Sequence, residues 1–82
     1  MRITAVRASY AARRHIREKH GVEMWEVDEV LLGNHDVRRV AGARYRYEGC
    51  TEDGRLLRVI FEVRSGHRQV EAHIVTAYEP RR

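Results

Sequence analysis

The chain has 82 residues, 43% hydrophobic, 34% charged and 7% aromatic, with one Pro. That suits one small domain spanning 1–82 and is too apolar for a disordered tail. No run reaches the ~18 apolar residues of a membrane span, and Met1–Arg7 lacks the apolar stretch of a secretory signal. Cys50 is alone, so no internal disulfide or cysteine metal motif forms, and a cytoplasmic protein without a membrane partner is expected. The net charge is +4 and fifteen of the sixteen basic residues are Arg, whose planar fork grips phosphate and stacks on bases. The charge is sorted: residues 1–22 carry a net +5, residues 23–36 a net −5 and residues 37–82 a net +4. Such blocks imply faces with different partners.

Ser9 can cap a first helix over about 10–20, with Ala12 and Ile16 on one face and Arg13, Arg14, Arg17 and Glu18 mostly on another. Gly21 stands where a left-handed residue ends a helix. A second helix runs over about 23–32. Met24, Val27, Val30 and Leu31 form its apolar stripe, Glu23 and Glu26 occupy its first turn, and Gly33-Asn34 ends it.

After residue 36 the period changes from 3.6 to 2. Val37–Val40 is a candidate strand, and Tyr45 and Tyr47 alternate with Arg44, Arg46 and Glu48. Glu52-Asp53-Gly54 supplies a turn, and Leu57, Val59, Phe61 and Val63 alternate with Arg58, Ile60, Glu62 and Arg64. Ser65-Gly66 marks another turn. Val70, Ala72, Ile74, Thr76 and Tyr78 then share one face, opposite Glu71, His73, Val75 and Ala77. With Ile3–Val6 as a weak edge strand, the expected fold is α+β: two N-terminal helices on an antiparallel sheet of three to five strands.

Lys19-His20-Gly21-Val22, followed by an acidic helix ending Glu29-Val30-Leu31, resembles the opening of BrnT-type toxins. Thr51–Phe61 is similar to that family's turn and central strand, and His73–Tyr78 to the final strand of that family and of an uncharacterised relative. The likeness covers about residues 10–78. It implies a RelE-like fold, a ribonuclease that blocks translation, and a cognate antitoxin encoded in an adjacent gene. Three places depart from the pattern. Glu23-Met24 stand where Ser or Thr and then Pro are usual, His35 stands where Pro is common, and Thr76-Ala77-Tyr78-Glu79 replaces an Arg-bearing ending.

Metal-free RNA cleavage must activate the ribose 2′-OH, stabilise a pentavalent phosphorane and protonate the leaving 5′-oxygen. Arg58 and Arg46, mid-strand and facing away from the helices, are candidates to hold the phosphate. His20, Glu62 and His73 compete for the proton transfers, with His73 favoured over Glu62 because it lies on a strand expected beside Arg58. Arg44, Arg64 and Tyr78 are RNA-binding candidates. Each also has an ordinary reading: solvated strand arginines, a Glu62 ion pair with Arg58 or Arg64, and Tyr45, Tyr47 and Tyr78 in the core. His15 and His67 suit the surface and His35 a loop. The five His show no ligand spacing, so no metal or cofactor is expected.

Three function classes stay open. They are a ribonuclease toxin acting on free or ribosome-bound RNA, a non-catalytic domain that binds RNA or an antitoxin on the same fold, and a purely structural interaction protein. A homodimer, or a complex whose acidic antitoxin segment crosses the arginine-bearing sheet face, is the expected assembly.

Overall fold

The computed structural model describes residues 2–32, 38–66 and 68–80. In chain order it has β1 (Ala5–Arg7), α1 (Tyr10–His20), α2 (Met24–Leu31), β2 (Arg38–Ala41), β3 (Arg44–Cys50), β4 (Leu56–Gly66) and β5 (Gln69–Tyr78). The expected roles of Gly33-Asn34, His35, Val37 and His67 lie outside the described residues.

Local chemistry sets both helices. The Ser9 hydroxyl oxygen accepts from the Ala12 N–H at 3.1 Å and caps α1. At the other end Gly21 adopts φ 65°, a conformation open to glycine at little steric cost. The Gly21 N–H then donates to the Arg17 carbonyl and the Val22 N–H to the Ile16 carbonyl, each at 3.0 Å. Ile16 and Val22 are both fully buried, so an apolar contact closes the same turn. Helix α2 lacks a Ser or Thr cap, but the Glu26 carboxylate reaches back to accept the Glu23 N–H at 3.0 Å. Val27, Val30 and Leu31 are its buried stripe.

The five strands form one sheet in the order β1-β5-β4-β3-β2. Strands β2 to β5 pair antiparallel, whereas β1 lies parallel to β5. The sheet is therefore mixed rather than wholly antiparallel. Strand β1 comes before the helices, and everything between it and β5 serves as the long connection a parallel pair requires. The core joins Ile3, Ile16, Val22, Val27, Val30 and Leu31 to Leu57, Val59, Phe61, Ala72, Ile74 and Ala77 on the sheet.

Two local features depart from the sequence reading. Ser65 and Gly66 are not the turn: they pair with Val70 and Gln69, so β4 runs on through Gly66 and β5 begins at Gln69. Arg68, just before β5, has φ 62°. The second departure is in β5. Its register runs Ile60↔Thr76 and then Phe61↔Ile74, which leaves Val75 as an extra residue in a bulge. One extra residue inverts the alternation. Ala77 enters the core, and Thr76 and Tyr78 move to the opposite face from Ala72 and Ile74. Tyr45 and Tyr47 do pack against the core; the Tyr45 ring stacks on Phe61 at 6.1 Å. Tyr47 lies over Gly49 so closely that a Cβ there would meet its ring at 2.6 Å.

Candidate active site

The bulge builds the site. It returns Tyr78 to the outer face directly opposite Arg58, while Glu48 of β3 stands opposite Arg58 on its other side. Glu48, Arg58 and Tyr78 thus form one row across three neighbouring strands. The Glu48 carboxylate accepts from Arg58 Nε at 2.6 Å, and the guanidinium carbon lies 5.8 Å from the centroid of the Tyr78 ring. Contact with Tyr78 first, and with Glu48 second, holds the Arg58 guanidinium even more firmly protonated than usual. Helix α1 extends the row: the His20 ring lies 5.6 Å from the Tyr78 ring. His15 meets His20 edge-on at 5.4 Å. Their five-residue spacing suggests separate helical faces, but side chains lean toward the helix N-terminus, so His20 on the last turn can reach back.

Lys19, His20, Arg55, Arg58, Tyr78 and Glu79 line an open hollow of about 650 Å³ beside this row. Four of its six lining residues are basic or imidazole side chains, and the row brings an aromatic ring. That suits a phosphate with a base beside it.

Arg55 holds the hollow's far wall. Its Nη1 donates to both oxygens of the Glu26 carboxylate at 2.9 Å and to the Gly21 carbonyl at 3.0 Å. Nη2 donates to the His20 carbonyl at 3.4 Å, and Nε donates to Glu79. One side chain therefore ties the α1–α2 junction, α2 and the end of β5 to the start of β4. Desolvation works against the Arg55 charge. The bonds to Glu79 and then Glu26 outweigh it and leave the guanidinium above its usual range. Thr51 fixes Arg55 from behind: its hydroxyl accepts the Arg55 N–H at 3.0 Å and its own N–H donates to the Arg55 carbonyl at 2.8 Å.

The other expected site residues fall elsewhere. His73 pairs with Glu62 in the ladder, not with Arg58, so it lies as far along the sheet as Glu62 does, roughly 13 Å at about 3.3 Å per residue. The preference for His73 over Glu62 therefore has no geometric basis. Each is engaged locally, His73 with Glu71 at 3.0 Å and Glu62 with Arg44 at 3.6 Å. Arg46 is exposed on the Arg58 face, one pleat along from Glu48, and stands opposite Ile60. Arg64 is exposed and stands opposite Glu71. The outer face is thus a patchwork in which arginines alternate with carboxylates, not a uniform basic surface.

Glu48, Arg55, Lys19 and Glu79 also belong to the site and were not expected there from the sequence. Glu48 carried a readable signal, since it shares the phase of Arg44 and Arg46. Arg55 precedes the alternating stretch, where periodicity says nothing.

No model of a known protein family matches this chain, and no curated protein sequence does either. The backbone does find a counterpart: the chain has the fold of a ribonuclease toxin. One match is to the crystal structure of the Brucella abortus ribonuclease toxin BrnT, with a TM-score of 0.72 over 96% of this chain and 99% of that one. Sequence identity is 14%, so the likeness is one of fold.

Proposed function

We propose that this chain is a metal-independent endoribonuclease of the toxin kind, acting at the row Glu48–Arg58–Tyr78–His20. The observation that carries this reading is the convergence of a cation, a carboxylate, an imidazole and an aromatic ring beside one hollow. The fold shared with a ribonuclease toxin supports it. Arg58 binds the scissile phosphate and stabilises the charge that grows on its oxygens. Glu48, already against Arg58, takes the proton from the ribose 2′-OH as O2′ attacks phosphorus. His20, across Tyr78 from Arg58, gives a proton to O5′ as the P–O5′ bond breaks. The products are a 2′,3′-cyclic phosphate and a free 5′-hydroxyl, so atoms and charges balance. A displacement of this kind places attacking and leaving oxygens roughly in line, which is served by a base and an acid on opposite sides of the cation. Tyr78 supplies a face for a base, and Lys19 and Arg46 flank the phosphate chain.

Partners follow from the same reading. RNA is the substrate, whether free or on ribosomes. A neighbouring gene would encode the antitoxin, whose acidic segment inhibits by displacing Glu48 from Arg58 and filling the hollow.

Incubating the purified chain with labelled RNA in the presence of a chelator tests this. Cleavage leaving cyclic phosphate ends is expected, and Arg58→Ala should slow it by about 100-fold or more. Glu48→Gln and His20→Ala should each slow it about 100-fold, and should remove opposite limbs of its pH–rate profile. RNA retention without cleavage by the unaltered chain would replace the enzyme with a binding domain.

A further inference from the structure

Away from the hollow, α1 and α2 carry two exposed stripes that the proposed chemistry does not use. On α1, Tyr10, Arg13, Arg14 and Arg17 recur at the i, i+3, i+4, i+7 spacing of one helical face. With Val22, Glu23 and Met24 they line a groove of about 220 Å³ at the start of α2. On α2 the outward positions are Trp25, Asp28, Glu29 and Leu32, again at i, i+3, i+4, i+7. One stripe is cationic with an aromatic end, and the other is acidic between two apolar ends. Tyr10 is 75% exposed, Trp25 55% and Leu32 49%, and these are three of the four large apolar residues exposed among the described ones. Large apolar groups exposed beside such charged stripes mark contact surfaces.

Within the chain the stripes do not satisfy each other. Arg14 pairs with Glu18 on its own helix at 2.8 Å, and among the described residues Arg13 and Arg17 form no ion pair. Among the described residues Glu29 accepts only the Glu52 N–H, at 3.1 Å, and Asp28 has no ion pair, while burial pushes its carboxyl up.

We infer that this helical face is the contact between two copies of the chain, with α1 of each lying on α2 of the other. The chain itself displays the surface that complements each stripe. A twofold axis beside the α1–α2 junction uses both stripes twice: Arg13 and Arg17 meet Asp28 and Glu29, and Tyr10 meets one apolar end of the acidic stripe of the second copy. An RNA occupant is less suited, because Glu23 lines the groove beside the arginines and RNA would leave the acidic stripe of α2 unmatched. The longer of the two helices has 11 residues, about 16 Å, so each stripe is short. That is a small interface, so dissociation in the micromolar range and strong dependence on salt are expected. None of these residues belongs to the row at Arg58, so the inference stands or falls apart from the nuclease reading.

Sedimentation velocity of the full chain from about 1 to 200 μM tests it. A monomer–dimer equilibrium is expected, weakened in 0.5 M salt. The pair Arg13→Glu, Arg17→Glu makes both stripes acidic, and the pair Asp28→Arg, Glu29→Arg makes both basic. Each variant alone should dimerise at least about 30-fold more weakly, because like charges then face each other. An equimolar mixture of the two should dimerise again, which a variant that had failed to fold could not do. An unaltered chain that is monomeric throughout overturns the inference. So does a dimer indifferent to either reversal, or a mixture that stays monomeric. If the unaltered chain is monomeric and the arginine reversal abolishes RNA retention, the stripe belongs to RNA and the dimer is wrong.

Discussion

Arg55 and Arg58 are three residues apart in sequence and have opposite circumstances. Arg55 sits in a corner where two carboxylates and two backbone carbonyls take up its fork, and one of those carboxylates, Glu26, is only 5% exposed. Arg58 lies on an open face with one carboxylate and one aromatic ring, both of which a ligand could replace. The same side chain is structural where its partners are many and one of them is a buried carboxylate. It is available for chemistry where its partners are few and exposed. The corner also serves the row, because it holds the His20 backbone and, through Glu79, the residue after Tyr78.

The sharpest way to break this comparison is Arg55→Ala. It leaves the buried Glu26 carboxylate without a counter-charge, a change expected to cost about 3 kcal/mol and to lower Tm by roughly 10–20 °C. Adding Glu26→Gln to that variant removes the stranded charge and should return about 1 kcal/mol or more. Thermal melts of the two variants and of Glu26→Gln alone form the required cycle. If Arg55→Ala melts within a few degrees of the parent, the corner is not the structural half of the pair. Arg58→Ala should do the reverse, leaving Tm where it was while RNA cleavage falls about 100-fold.

A second test concerns the floor on which the row stands. Gly49 neighbours Glu48 in β3, and its missing side chain is what lets the Tyr47 ring lie across the strand. Gly49→Ala pushes that ring away from the core it packs on, at about 1–3 kcal/mol. Urea unfolding at constant slope would show this as a lower midpoint. An unchanged midpoint would mean that Tyr47 moves aside freely.

Much of the frame could be read from residue types. The two helices, the stop at Gly21 and the strand order β3-β4-β5 follow from periods of 3.6 and 2 and from glycine placement. The site could be read only in part, because two of its determinants leave no periodic trace. Val75 is as apolar as its neighbours, so nothing in the run Ile74-Val75-Thr76-Ala77-Tyr78 marks the extra residue that turns Tyr78 to Arg58. Without that bulge, Tyr78 belongs to the core, and Arg58 has no neighbour on that side. Likewise, Arg55 gains its importance from Gly21, Glu26 and Glu79, which lie from 24 to 34 residues away. A contact of that range is a consequence of the fold and precedes no pattern in the chain. The parallel placement of β1 is a third such consequence, since a three-residue strand carries no information about direction.

The smallest expected effect separates two carboxylates of one helix. Glu26 is buried with Arg55 bonded to it, whereas Asp28, two residues on, is half-buried and has no ion pair among the described residues. Burial alone raises the Asp28 pKa, so the folded state disfavours its charged form relative to the unfolded chain. The sign follows from linkage. A carboxyl whose folded pKa lies above its unfolded value stabilises the fold when protonated. That stability is fully present below the ordinary Asp value of about 3.9, and it is lost as pH rises through the raised folded value. Asp28→Asn keeps size and helix propensity but removes the charge. At pH 7 the variant should therefore melt slightly higher than the parent, by an amount within the roughly 0.5 kcal/mol typical of surface changes. The difference should close as pH falls through the carboxylate range, because the parent then sheds the same charge by protonation. Melts from pH 3 to 8, run below the concentration at which the chain associates, measure this directly. A variant that melts lower than the parent at pH 7 would mean that Asp28 has a cationic partner in the monomer, and the contrast with Glu26 would disappear.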